Sequence, residues 1–143
     1  MESMNRIEKH SVFFVKKLHL GLSAFIVIGV GLIYGLYPSK ILPFVFGFEV
    51  ENLELKNIFR AIMGLYLAMG AYWCVGIWKA KHWKLATVTN IIFMGGLAFG
   101  RIVSIIFDGV SQQFTIGLIL ELLFMIWGIN NLKTVFSIKK QQS

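Results

Sequence analysis

Two opposite charges, Arg101 and Glu121, stand in stretches that are otherwise apolar. Between them lies a short polar turn, Asp108-Gly-Val-Ser-Gln-Gln113. Arg101 precedes Asp108 by seven residues, and Glu121 follows Phe114, the first apolar residue past the turn, by seven. If both flanks are helical, a rise of about 1.5 Å per residue sets each charge about 10 Å from the turn, at matching depth on adjacent helices of a hairpin. A guanidinium and a carboxylate so placed suit a charge-assisted pair. Asn90, Leu97, Arg101, Ser104 and Asp108 follow one another at offsets of 7, 4, 3 and 4, so they share one helical face. Asn57 and Arg60 open the apolar run before that helix. The candidate ligand-binding residues are therefore Asn57, Arg60, Arg101, Ser104, Asp108 and Glu121.

Two kinds of chemistry fit this set. One is a structural lock, in which the charges satisfy one another and fix the register of the helices. The other is a polar pocket whose spare arginine takes a lipid headgroup or a small anionic ligand. A charge at the centre of a bilayer costs about 2.5–3.5 kcal/mol on insertion scales, so embedded ionisable groups either pair or do work. A lock predicts every charge satisfied and no cavity. A binding site predicts a cavity lined by Arg60 and Arg101, with one arginine incompletely paired.

Other chemistries lack their residues. Cys74 is the only cysteine, so neither an internal disulfide nor a CxxC redox or zinc site can form. His10, His19 and His82 fall at the boundary of apolar runs, where interfacial side chains are expected, and none sits at midplane depth to ligate haem. With no catalytic residue, metal cluster or redox centre in view, the sequence offers no ground for an enzyme, and no cofactor is expected. The net charge of +7 is dispersed in clusters beside apolar runs, a pattern that argues against nucleic acid.

The elements that must position these residues follow from composition. The chain is 57% hydrophobic and 15% charged, with a mean hydropathy of +0.72; soluble domains run to about 25% charge. The expected fold is an all-α membrane protein, a bundle of four transmembrane helices spanning about 18–37, 57–78, 85–107 and 114–130. Residues 1–17 form a basic, amphipathic segment and 131–143 a basic tail. Twenty residues of helix span about 30 Å, the thickness of the hydrocarbon core. Pro38 and Pro43 are expected to stop the first helix, and Phe44–Phe48 to pack over the bundle as an interfacial or re-entrant segment.

Basic residues gather at the amino terminus, at Lys79, Lys81 and Lys84, and in the tail, whereas the two remaining connections hold only Lys40 and Lys56. The positive-inside rule then expects both termini in the cytoplasm, in a bacterial inner membrane. Trp73, Trp78 and Trp83 flank the basic loop as an aromatic belt would. Small residues at helical spacing, Gly31 and Gly35, Ala61, Gly64, Ala68 and Ala71, and the Gly96-x-x-x-Gly100 motif, are expected to let helices approach one another closely.

The order Asn57-Ile-Phe-Arg60-Ala61, Gly64-x-Tyr66, Gly100-Arg101-x-x-Ser104-x-x-x-Asp108-Gly109 and Glu121 resembles a bacterial family of small four-helix membrane proteins of unknown function, the DUF4345 type, DoxX-like in layout. The resemblance covers roughly residues 18–130. It implies Arg60, Arg101, Asp108 and Glu121 as a polar core and brings no established activity. Analogy with the DoxX-like group implies, as an alternative role, a subunit of a membrane oxidoreductase or of a lipid-modifying enzyme. The expected partners are the lipid bilayer, a lipid or small anionic ligand at the polar cluster, and a second copy or a partner subunit.

Overall fold

A computed structural model describes residues 2–140, with side chains at 14–135 and 137. The chain folds into helices α1 (Glu2–Gly35), α2 (Pro38–Phe46), α3 (Leu53–Trp78), α4 (Trp83–Asp108) and α5 (Gln112–Lys140), with a 3₁₀ turn at Ala80–His82 and no strand among the described residues. Four stretches are long and apolar enough to cross a membrane: Phe14–Gly35, Leu53–Trp78, Ala80–Asp108 and Gln112–Val135. The backbone of the amino-terminal segment continues into α1 as a single helix from Glu2. Its amphipathic face, which includes His10, lies outside the described side chains.

Local chemistry sets the helix ends. Asn52 caps α3, its Oδ1 accepting the Glu54 N–H at 2.7 Å, which satisfies one of the donors a helix start leaves open. Pro38 does not merely end α1; it opens α2 from the first turn, where the missing N–H is harmless. Pro43 sits inside α2, so the expectation that it stops a helix fails. The short helix ends one turn later, at Gly47 with φ 74°, a left-handed conformation that glycine adopts without strain.

Helix α1 is the centre of the bundle. Of its apolar window 44% is buried, against 22%, 17% and 17% for the other three, so it is the most enclosed of the four, although Phe25 still faces outward. Leu20, Ala24, Val27 and Tyr34 form its inward face. The closest helix pair is α1 with α3, followed by α4 with α5. Glycines make the α1–α3 seam: a Cβ on Gly31 would lie 2.8 Å from the Tyr66 Cβ, and one on Gly35 would strike Met63. Ala61, Gly64, Ala68 and Ala71 instead lie on the exposed face of α3, whose buried face is Tyr66, Gly70, Trp73 and Gly76. Trp73 is fully buried, and its indole N–H donates to the Thr89 hydroxyl at 3.3 Å. It is a core residue and not part of an interfacial belt; Trp78, 80% exposed, faces outward.

Helix α2 closes the end of the bundle where α4 turns into α5. Its Phe46 ring stacks on Phe114 at 5.4 Å and leans on Tyr34 at 5.8 Å, and the stack continues through Phe48 to Phe59. The opposite end carries Lys16, Lys17, Lys79, Lys81, Lys84 and Lys133.

Candidate functional site

The α4–α5 hairpin brings Arg101 and Glu121 together. The Arg101 Nε donates to both carboxylate oxygens of Glu121, at 2.8 and 2.9 Å. The side chains are 20% and 9% exposed, so most of the water that would screen the pair is gone. Gly109, at φ 94°, breaks α4 so that α5 can return alongside it. The register then follows from close glycine contacts. Gly117 lies against the Arg101 guanidinium, Gly95 against Met125, and Gly128 against Ile91.

Three residues of α5 hold the guanidinium. Phe114, Gly117 and Glu121 are spaced 3 and 4 apart and share a face. The Phe114 ring lies 5.1 Å from the Arg101 Cζ, within reach of a cation–π interaction. A Cβ on Gly117 would come within 3.1 Å of Cζ and Nη2, so the absence of a side chain there makes room for the cation. Both hydrogen bonds to Glu121 leave from Nε, and the Tyr34 phenol stands beside the guanidinium as a further polar neighbour.

Around Arg101 the bundle is not fully packed. A cavity of about 500 Å³ lies between α3, α4 and the start of α5, walled by Phe59, Ile62, Tyr66, Leu97, Arg101 and Phe114 among others. A second cavity of about 150 Å³ reaches deeper, past Val27, Met94 and Phe124, and includes Glu121 in its wall. Tyr34, Tyr66, Leu97, Arg101 and Phe114 border both. The Arg101–Glu121 pair is thus the charged patch between two apolar chambers.

The other candidate residues are placed differently. Ser104 borders the larger cavity, and its hydroxyl donates to Asp108 Oδ2 at 3.0 Å on the exposed rim of α4. Asp108 does not reach the pair. Arg60 and Asn57 are exposed on α3 and line neither cavity, so the arrangement expected of Arg60 and Arg101 around one pocket does not form. Arg60 lies about 120° around its helix from Tyr66, on the exposed side, and helical phase keeps it out.

Sequence reasoning missed several residues. Tyr34 was not singled out and Tyr66 only as part of the Gly64-x-Tyr66 motif, yet both border the two cavities. The Phe114–Gly117–Glu121 spacing is a signal that could have been read. His19, expected near the boundary, has its side chain fully buried among the helices: its Nε2 donates to the Phe124 carbonyl at 3.0 Å, and its ring meets Trp127 edge-on at 5.2 Å. Asn90 is fully buried with neither end of its amide bonded to protein, the usual mark of an internal water. No three His, Cys, Asp or Glu side chains among the described residues converge as a metal site would require.

Comparison with known proteins places this arrangement in a family. The family model described as "Domain of unknown function (DUF4345)" matches residues 15–130, which include the four spans except Phe14 of the first and the last five residues of the fourth, and the chain belongs to that family. No curated protein and no solved structure matches it.

Proposed function

We propose that this DUF4345 member is an integral membrane protein that binds the anionic head of a small molecule or lipid at Arg101, with Glu121 holding the guanidinium in place. The observation that carries this reading is the position of Arg101: a cation bonded to Glu121 through Nε, with Tyr34 and Phe114 beside it, at the junction of two apolar cavities. A lock that served stability only would have no reason to leave about 500 Å³ open beside its cation. Pockets with apolar walls and a few convergent polar groups are the usual form of a ligand site. The lock and the site are one device here, since the bond to Glu121 fixes the orientation of a guanidinium that borders both cavities.

The orientation we propose follows the charge distribution. Lysines crowd the end opposite α2, while Glu49 and Glu51 precede α3 and Glu54 lies in its first turn at the other. By the positive-inside rule both termini are cytoplasmic in a bacterial plasma membrane, and the larger cavity belongs to the outer half.

Equilibrium binding to the purified protein tests the proposal, using a fluorescent polyene fatty acid and its methyl ester as probes. Wild-type protein binds the acid more tightly than the ester, and Arg101→Gln removes the difference while the protein remains folded by circular dichroism. Equal binding of acid and ester by wild type, or a preference that survives Arg101→Gln, sinks the proposal.

A further inference from the structure

The α4 wall of the larger cavity has an unusual property. Gly96, Gly100 and Ser104, spaced four apart, border the cavity and also lie on the exposed surface of the helix. On the facing helix, Leu65 does the same and is 55% exposed. All four residues fall inside membrane-length spans. The cavity is therefore continuous with the flank of the bundle between α3 and α4, at a depth where the surrounding solvent is hydrocarbon.

The glycines show that this opening is not a seam between helices. A Cβ added to Gly96 or Gly100 would meet no atom within 4 Å. At the seams of the same bundle the result is opposite: a Cβ on Gly31 would be 2.8 Å from Tyr66, and one on Gly76 would strike Ala86. Gly96 and Gly100 thus keep space open where a seam glycine lets helices touch. Polar groups gather at one end of this space, at Arg101, Ser111 and Thr115, and the walls toward Gly96 are apolar, with Ile62, Leu65 and Leu97. Gly96 lies twelve residues from Asp108, or about 18 Å along the helix, close to the middle of the Ala80–Asp108 span.

We infer that the ligand is a lipid-class amphiphile, with an anionic oxygen head at Arg101 and an extended apolar chain, and that it enters sideways from the bilayer through the α3–α4 window. The chain leaves the head past Gly100 and Gly96, running toward the membrane interior as the acyl chains of its own leaflet do. A water-soluble anion would need neither the lateral opening nor the apolar track. This inference rests on the reading of Arg101 as the head-binding group and narrows it to one substrate class.

The test uses the full-length protein in lipid nanodiscs, with the long-chain fluorescent acid and a short-chain carboxylate competitor as probes. Gly96→Leu and Gly100→Leu place a branched side chain in the open window, and Gly64→Leu, on the exposed face of α3 and in the wall of neither cavity, serves as the control. Both window variants are expected to weaken the long-chain acid by about tenfold, the loss expected from excluding roughly two methylenes. They leave competition by the short-chain carboxylate unchanged, whereas Arg101→Gln abolishes both. Gly96→Leu and Gly100→Leu are read independently, so a variant that fails to fold does not decide the matter.

If neither window variant changes long-chain binding while Arg101→Gln still abolishes it, the chain does not pass this window: the inference falls and the head-binding reading survives. If Arg101→Gln changes neither probe, both fall. Tight binding of the short carboxylate with no gain from chain length also overturns the inference. So does a wild-type dimer that the window variants convert to monomers, since a second copy would then cover the window.

Discussion

Replacing the two members of the embedded pair, singly and together, gives a quantitative test of the site. The pair makes two charge-assisted hydrogen bonds from one nitrogen, with side chains 20% and 9% exposed. Removing one partner of a fully buried pair costs about 3–5 kcal/mol in soluble proteins. Within membranes, measured couplings average about 0.6 kcal/mol and reach about 1.7. Here the two residues are unequal. Glu121 lies behind apolar walls and accepts no other hydrogen bond from the described residues, so Arg101→Gln strands a carboxylate and is expected to cost about 2.5 kcal/mol. Arg101 borders the larger cavity, so in Glu121→Gln the guanidinium can swing toward that space, and about 1 kcal/mol is expected. With a coupling near 1.5 kcal/mol the double variant should cost about 2 kcal/mol, less than Arg101→Gln alone. Reversible unfolding in mixed micelles, followed by circular dichroism against rising sodium dodecyl sulfate, measures all three. Additivity within about 0.5 kcal/mol would refute an energetic pair. If Glu121→Gln proves the costlier single change, the escape of Arg101 into the cavity is wrong.

Two further outcomes are expected of the scaffold. Gly76→Ala drives a Cβ into that of Ala86, which cannot move without its backbone, and should cost about 1–3 kcal/mol; Gly64→Ala meets nothing within 4 Å and should stabilise α3 by up to about 1 kcal/mol. Equal effects in the same unfolding assay would mean that the α3–α4 contact at Gly76 is not close. His19→Ala removes the bond to the Phe124 carbonyl and a fully buried ring, for an expected loss of about 2–4 kcal/mol together with a shift in Trp127 fluorescence. Unchanged stability and emission would place His19 outside the core.

The helices were legible in the sequence because length and polarity alone identify them: each apolar run is bounded by charges, prolines or a glycine-containing turn. The Arg101–Glu121 pair was legible for a related reason. A tight hairpin ties depth on one helix to depth on the next, so counting residues from the turn is enough to match them. Which face of a helix turns inward was much less so. In a soluble bundle polar residues mark the outside, but a helix surrounded by lipid is apolar on every side and loses that mark. Trp73, assigned to a belt, is core, and His19, assigned to the boundary, is enclosed by α5. Arg60 failed through the same ambiguity of phase: its depth on α3 was counted, while its face could not be.

The small residues carry this ambiguity furthest, because spacing alone cannot say what a missing side chain makes room for. Gly31 and Gly35 on α1 and Gly96 and Gly100 on α4 have the same four-residue repeat. The first pair is filled by Tyr66 and Met63, and the second by nothing within 4 Å. Glycine in a helix interior costs roughly 0.5–1 kcal/mol relative to alanine, a cost that close packing ordinarily offsets. At Gly96 and Gly100 no packing offsets it. An alanine at either position should therefore stabilise the protein, as at Gly64, so the structure identifies these as places where stability and open space conflict. Beside an arginine fixed by a glutamate, a phenylalanine ring and a third glycine, that conflict is resolved in favour of the space, as the proposed entry of a ligand would require.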